Sequence, residues 1–398
     1  SDGESPPDDK SGEIGLPKAP RYYCTLRVLF GLRPVYICAF SRITLLYCSR
    51  RFQIRDVVFM AGRDIWRYCT AEQMEEVLRS FQLLQGTKVR GDRYMACLYA
   101  VSNHIEKHYH IAVIPKKNGG TRKLSVPDIL LRTIQRNIVK YVLPERSVSQ
   151  YATAYRPNAS VLMNACPHVG TEQVLKLDIR DFFHSITFQM VYQSAFPAVY
   201  YPPAIRMLLT SLCCFMDCLP QGAPSSPAIS NLVMKPFDEY MGSWCKERQI
   251  QYTRYCDDMT FSGNFDVKKL KLKVKNYLYK MGFELNEQKT KVQRQYQRQI
   301  VTGIVVNEKP QVCREYRRQL RAEIYYCGKY GVESHLQRMG ISGGGSESPQ
   351  DPERYAQHLL GKINYVLSVD PGDKYFLEKR DEILLLVKEF RGDSIISK

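Results

Sequence analysis

Residues 252–263 read YTRYCDDMTFSG, and the reading of this stretch decides the fold. Gln251 to Tyr255 and Met259 to Ser262 carry β-forming residues on either side of Cys256-Asp257-Asp258, the pattern of two strands about a tight turn. Two adjacent aspartates repel each other, and taken alone they suit a solvated surface turn. A third carboxylate changes the balance. Val174 to Ile179 (VLKLDI) is a short apolar run with Asp178 near its end, followed directly by Asp181-Phe182-Phe183. An apolar strand does not ordinarily end in a carboxylate beside a buried helix start.

Three converging carboxylates make a site for hard cations. Magnesium prefers oxygen ligands in octahedral geometry and shares its shell with water and phosphates. Two such ions about 3.5 to 4 Å apart can activate an attacking hydroxyl and stabilise a leaving phosphate. Phosphoryl transfer asks the protein for little beyond positioning and charge neutralisation.

Outward from this hairpin, helix and strand signals alternate. Thr70 is a candidate N-cap for a helix whose face is Met74, Val77, Leu78 and Phe81. His110 to Pro115 and Arg122 to Val126 read as a hairpin about Lys116-Lys117-Asn118-Gly119-Gly120, and Ile129 to Val142 as a helix. Ser225 to Trp244 is a strong helix after Pro224, and another follows with Val267, Leu270, Val274, Leu278 and Met281 on one face. Beyond Lys309 the strand signals fade and three helices are predicted, near 314–330, 353–368 and 373–391, with a Gly- and Ser-rich loop at 342–352. Strands mixed with helices, then helices alone, predict an α+β body with a helical appendage.

Composition fits a polyanionic partner. The 398 residues hold 57 Lys and Arg against 40 Asp and Glu, a formal charge of +17. From Lys268 to Arg321 there are fifteen Lys/Arg and four Asp/Glu, so about +11 of that excess lies in one stretch, either a solvated helical face or a groove along a nucleic-acid backbone. The thirteen cysteines show no Cys-x-x-Cys pair, and Cys213, Cys214 and Cys218 suit a helix better than a metal site. A reduced, intracellular chain without a disulfide framework is the expectation. His104, His108 and His110 have spacing that could hold zinc, but no Cys or acidic cluster accompanies them. The apolar stretch Leu29 to Cys48 is interrupted by Arg33, Pro34 and Arg42, which argues against a membrane span. Residues 1–20 have a disorder-prone composition, and 21–59 are basic without a clean period. The first methionine is Met60, so the upstream part reads as a leader or appended sequence with no assigned function.

These segments resemble, in their order, those of reverse transcriptases, and in particular those of bacterial retrons. The residues that carry the resemblance are TRKLSVP at 121–127, NACPHVG at 164–170, LKLDIRDFFHSI at 175–186, LPQGAPSSPAISNL at 219–232, YTRYCDDMTFSG at 252–263, GFELNEQKTKV at 282–292 and VTGIVVN at 301–307. It covers roughly residues 105–390. Asn164-Ala165-x-x-His168 and Val301-Thr302-Gly303 look like the retron markers. Cys256 departs from the alanine more usual there; both are small, and tolerance is expected. The resemblance implies a right-hand polymerase fold. Residues 1–60 would be an N-terminal extension, 61–310 fingers and palm with an antiparallel palm sheet plus helices, and 311–398 a helical RNA-binding thumb.

By the same resemblance, Asp178, Asp257 and Asp258 would be the catalytic residues and hold two Mg2+ ions. Phe183 would gate against a 2′-hydroxyl; as an alternative it is a core phenylalanine like Phe182. Gln221, beside Gly222, would lie next to the incoming deoxynucleoside triphosphate, and Arg122 and Lys117 would neutralise its phosphates. Asn164 and His168 would support recognition of a cognate structured RNA, with Thr302 and Gly303 as a companion site; alternatively they are a helix cap and a satisfied core histidine. Arg314, Arg317, Arg318 and Arg321 would track RNA from a thumb helix, or simply form its solvated face. The implied activity is RNA-directed DNA synthesis on the enzyme's own noncoding RNA. Priming would come from a 2′-hydroxyl of a guanosine, leaving a branched RNA–DNA product, in antiphage defence with a separate effector protein. The implied location is the bacterial cytoplasm, without membrane contact. Two further readings stay open: a group II intron-like or other defence reverse transcriptase, and an RNA-binding scaffold that no longer catalyses.

Overall fold

The computed structural model describes residues 69–116, 119–144, 147–338 and 351–391. The predicted N-terminal extension 1–60, the apolar stretch within it, Lys117 and most of the 342–352 loop lie outside the described residues. Every described residue belongs to one compact unit.

The first helix, Ala71–Ser80, starts where the sequence predicts. Thr70 closes a capping box with Gln73, and Val77 and Leu78 are buried. Helix Arg93–Asn103 leads into an antiparallel hairpin of β1 (Tyr109–Pro115) and β2 (Thr121–Pro127), which pairs Ile114 with Arg122. The predicted 129–142 helix divides: α-helix runs over Ile129–Asn137, and a wider π turn carries Ile138–Val142.

The centre is a four-stranded antiparallel sheet, with β3 (Gln173–Asp178), β4 (Gln251–Tyr255), β5 (Asp258–Ser262) and β6 (Lys291–Arg294) in the order β4-β5-β3-β6. Strand alternation sorts its side chains between two faces. Tyr252, Arg254 and Phe261 lie on one face, where Phe237 and Asp238 of the long helix Ser226–Lys246 meet them. Thr253, Ser262, Asp178 and Asp258 lie on the other. Gly242 of the long helix has no Cβ because the ring of Tyr151 fills the space; a Cβ there would come within 1.9 Å of it. Pro236 sits inside this helix, a residue that removes one helical hydrogen bond.

Three short strands, β7 (Ile300–Val301), β8 (Ile304–Val305) and β9 (Gln311–Val312), form a second small sheet. Helices Arg314–Tyr330, Val332–Arg338, Pro352–Val369 and Lys374–Arg391 follow. Leu320, Ile324, Leu359, Ile363, Phe376 and Val387 make their shared core, which continues through Val301, Ile304 and Val306 to Ala165 and Val174. The helical part is therefore continuous with the central sheet. The described cysteines are all free thiols. Cys213 ends helix Pro203–Cys213, and Cys218 lies beyond it in a turn rather than in the expected helix. Among the described residues, no helix is long and apolar enough to cross a membrane.

Candidate active site

The register of the sheet brings the three aspartates to one end. Asp178, the last residue of β3, stands directly opposite Asp258, the first of β5. Tyr255 pairs with the same Asp258, so only Cys256 and Asp257 form the turn. Asp258 is thus a strand residue rather than part of the turn, and β5 begins one residue earlier than expected. Cys256 has φ of +61, the left-handed first position of a two-residue hairpin turn. The backbone then locks the corner. Ile179 N–H donates to the Asp257 carbonyl at 3.2 Å, and Asn286 N–H donates to the Asp178 carbonyl at 2.8 Å.

The electrostatics are those of crowded carboxylates. Asp178 is 5% exposed. Burial, then the charge of Asp257, pushes its pKa up, partly offset by the Lys289 ammonium that donates to Oδ2 at 2.9 Å. Asp258 is raised by burial and by Asp257, with Lys176 opposing. Partial burial disfavours the Lys289 ammonium, yet its Asp178 bond and the neighbouring aspartates outweigh this and raise its pKa. The Cys256 thiol is pushed up to about 12 by burial and the Asp257 charge, so it is neutral at pH 7.

The donor set fits divalent cations. All three groups are oxygen donors, and Asp178 Oδ1 is buried with no hydrogen-bond partner, an atom that calls for a cation. Among the described residues no three His, Cys, Asp or Glu side chains are gathered closely enough to enclose a metal ion as they stand. Lys289 is the cation that faces Asp178 here. Lys289 is a residue that sequence reasoning missed. It lies within the quoted 282–292 stretch, but only the fold brings it to the aspartate.

The residues expected at the nucleotide fall in two places. Phe182 is buried against Phe283, with ring centroids 6.0 Å apart, whereas Phe183 is half-buried beyond it. Arg122 is exposed on β2. The backbone of Gln221 docks on that strand, its carbonyl accepting from Ser125 N–H at 2.8 Å. Gly222 has φ of +124, and a Cβ there would lie 2.7 Å from the Ser125 carbonyl oxygen. Close approach at Gly222 therefore serves the docking of this segment on the hairpin. Tyr155, also missed, is exposed with φ of +57. Burial and the adjacent Cys256 and Asp257 raise its phenol pKa.

The residues expected to support RNA recognition differ in exposure. Asn164 and His168 are fully buried. Asn164 Oδ1 accepts from Thr153 Oγ1 at 2.6 Å and its Nδ2 donates to Thr302 Oγ1 at 3.3 Å. His168 bonds Ser262 through Nδ1 at 2.7 Å and Thr253 through Nε2 at 2.8 Å. With every side-chain polar atom occupied, neither residue reaches an RNA directly in this structure. They tie the β4–β5 hairpin to the turn at Thr302 and Gly303, whose φ values are +47 and +85 and whose Gly303 is exposed. Arg314, Arg318 and Arg321 are exposed on their helix. Arg317 is turned inward instead, where it pairs with the Asp373 carboxylate and faces the Phe376 ring.

With this geometry in place, similarity to known proteins becomes decisive. The reverse transcriptase (RNA-dependent DNA polymerase) family matches residues 114–316. The Retron Ec83 reverse transcriptase of Escherichia coli is 32% identical over 289 residues, covering 69% of this chain and 86% of that one. The chain belongs to the retron-type reverse transcriptases. The Retron Ec86 reverse transcriptase of Escherichia coli is 32% identical over 237 residues, 57% of this chain and 73% of the relative. The Retron Mx65 reverse transcriptase of Myxococcus xanthus is 33% identical over 294 residues, 69% of this chain but only 64% of the relative. The four-stranded sheet is accordingly the palm, the β1–β2 hairpin belongs to the fingers, and the helices after β9 form the thumb.

Proposed function

We propose that this reverse transcriptase binds a cognate structured noncoding RNA and copies part of it into a short DNA joined to that RNA. The observation that carries the catalytic part is the register of Asp178 opposite Asp258 with Asp257 in the turn between β4 and β5. The three carboxylates would hold two Mg2+ ions, which would supply charge stabilisation for attack by a primer hydroxyl on the nucleotide. Around them the chain's own groups do the positioning. Asp178 presents its unpartnered Oδ1, and Lys289 balances the charge of its Oδ2. Phe183 packs under the incoming sugar and rejects a 2′-hydroxyl, Gln221 flanks the base, and Arg122, with Lys117, faces the triphosphate.

On the RNA side, Thr302 and Gly303 form the contact turn, and Asn164 and His168 fix it to the palm from beneath. Arg314, Arg318 and Arg321 supply phosphate contacts, while Arg317 holds the thumb helix to Asp373. Priming from a guanosine 2′-hydroxyl, a role in antiphage defence and a separate effector complete the reading.

The test is to express the chain with its native flanking DNA and extract nucleic acid from the purified protein. The extract is then treated with RNase or DNase. A short DNA covalently attached to RNA, absent from an Asp257→Ala/Asp258→Ala variant, is the expected result. RNA alone in both preparations overturns the proposal in favour of a non-catalytic scaffold.

A further inference from the structure

Arg254 is the largest fully buried side chain of the described residues, and all of its guanidinium nitrogens are engaged. Nε donates to Asp238 Oδ1 at 2.8 Å and Nη2 to Asp238 Oδ2 at 2.6 Å, a two-pronged pair with both side chains at zero exposure. Nη2 also reaches Asn231 Oδ1 at 3.2 Å. The remaining arm, Nη1, donates to the backbone carbonyl of Cys256 at 2.8 Å. The backbone of Arg254 is held as firmly: its N–H donates to the Tyr151 carbonyl at 2.8 Å and its carbonyl accepts from Thr153 N–H at 2.8 Å.

The Cys256 carbonyl is half of the peptide unit that begins Asp257. Cys256 also sits at positive φ, which costs a non-glycine residue about 1 to 2 kcal/mol and persists only where its surroundings enforce it. Asp257 is thus held from two sides, by Arg254 through the preceding carbonyl and by Ile179 N–H through its own. A guanidinium can engage a carboxylate with two donors and reach a carbonyl with a third; a lysine ammonium has no such fixed fork. Buried ion pairs often contribute little net stability, so the Arg254–Asp238 pair is poorly explained as a stabiliser alone.

We infer that Arg254 is a positioning residue for DNA synthesis: locked by Asp238 and Asn231, it sets the turn peptide so that Asp257 is held beside the Asp178–Asp258 pair. The inference rests on the proposed catalytic role of these aspartates. It extends that role to a side chain that touches neither nucleotide nor cation.

The experiment uses the full chain, with Arg254→Lys and the charge-neutral double variant Arg254→Gln/Asp238→Asn, which leaves no unpaired buried charge. Glu323→Gln, which weakens the thumb pair with Lys362, is the control for destabilisation alone. Three quantities are read: thermal unfolding, Mn2+ binding followed by electron paramagnetic resonance, and kcat and KM for dTTP on poly(rA)·oligo(dT). The expected result for either Arg254 variant is a folded protein with kcat lower by about 100-fold, the usual effect of an ångström-scale misplacement. KM for dTTP should stay within a few-fold of wild type, and Mn2+ should bind more weakly, while Glu323→Gln changes only the unfolding temperature. Wild-type-like kcat and Mn2+ affinity in a folded Arg254 variant overturn the inference, as does a failure of both variants to fold, which assigns Arg254 to stability. If the wild type makes no DNA, it is the polymerase reading that fails; the Mn2+ comparison still decides the role of Arg254.

Discussion

Phe183 and Phe182 are neighbours in sequence with different surroundings. Phe182 is closed into the core against Phe283, while Phe183 keeps part of its ring accessible, 5.4 Å from Phe182 between ring centroids. In the proposed role, this half-exposed ring would collide with a ribose 2′-hydroxyl. Phe183→Ala should therefore raise ribonucleotide incorporation relative to deoxynucleotide by about 10- to 100-fold, the range that a small steric difference can supply. Single-nucleotide extension with rUTP and dTTP measures this ratio, and an unchanged ratio removes Phe183 as the gate. Gly222 is the second position where one atom decides. Gly222→Ala must move the Ser125 carbonyl and adopt a strained φ, so it should loosen the fingers hairpin. The expected readout is a higher KM for dTTP with a smaller change in kcat; an unchanged KM contradicts it.

The NACPHVG segment shows what burial does to an element. His168 is seated between β4 and β5, and burial pushes its pKa down to about 3 from an ordinary 6.5. Below pH 6.5 the unfolded chain takes up a proton that the folded chain refuses. Stability that is complete above pH 6.5 is therefore lost as pH falls toward 3, by about 1.4 kcal/mol per unit. Urea unfolding at pH 6 and pH 5 should show that slope in excess of the His168→Asn variant; parallel slopes contradict it. Much of the fold was legible at this scale. Strand alternation in YTRYCDDMTFSG and helical periodicity in 226–246 are local signals, and both elements form within two residues of their expected bounds. The short strands β6 to β9 were not legible, because two to four residues carry no period of their own and are held by pairing with distant partners. Asp178 was legible as a charge ending an apolar run, and Asp257 and Asp258 as adjacent charges in the turn between two strands. Lys289 and Tyr155 did not, since a lysine in a basic stretch and a tyrosine in a loop acquire meaning only from what the chain brings beside them. The burial of Asn164 and His168 was equally hidden: a motif says which residues matter, not which way they face.

Across the whole molecule, the +17 charge is unevenly spent, with the 268–321 stretch running from the palm helix Val267–Lys280 to the thumb helix. Lys271 and Lys275 are paired with Glu287, whereas Arg318 and Arg321 remain exposed. If the exposed arginines contact RNA phosphates, replacing Arg318 and Arg321 with glutamine should weaken binding similarly across RNA sequences. It should also reduce the slope of log affinity against log salt by about 0.7 per lost contact. Filter binding between 50 and 200 mM salt, values at which roughly such differences are resolved, reads that slope; an unchanged slope separates these residues from the RNA interface. Everything downstream depends on the palm corner where β3 and the β4–β5 turn bring Asp178, Asp257 and Asp258 to one end of the sheet. The most direct test is dTTP incorporation by the purified chain on poly(rA)·oligo(dT), with and without Mg2+, for wild type and for Asp257→Asn. The account predicts Mg2+-dependent synthesis by the wild type and a loss of about 1,000-fold or more in a variant that unfolds at the same temperature. Synthesis by Asp257→Asn at the wild-type rate, or by the wild type without any divalent cation, would contradict it.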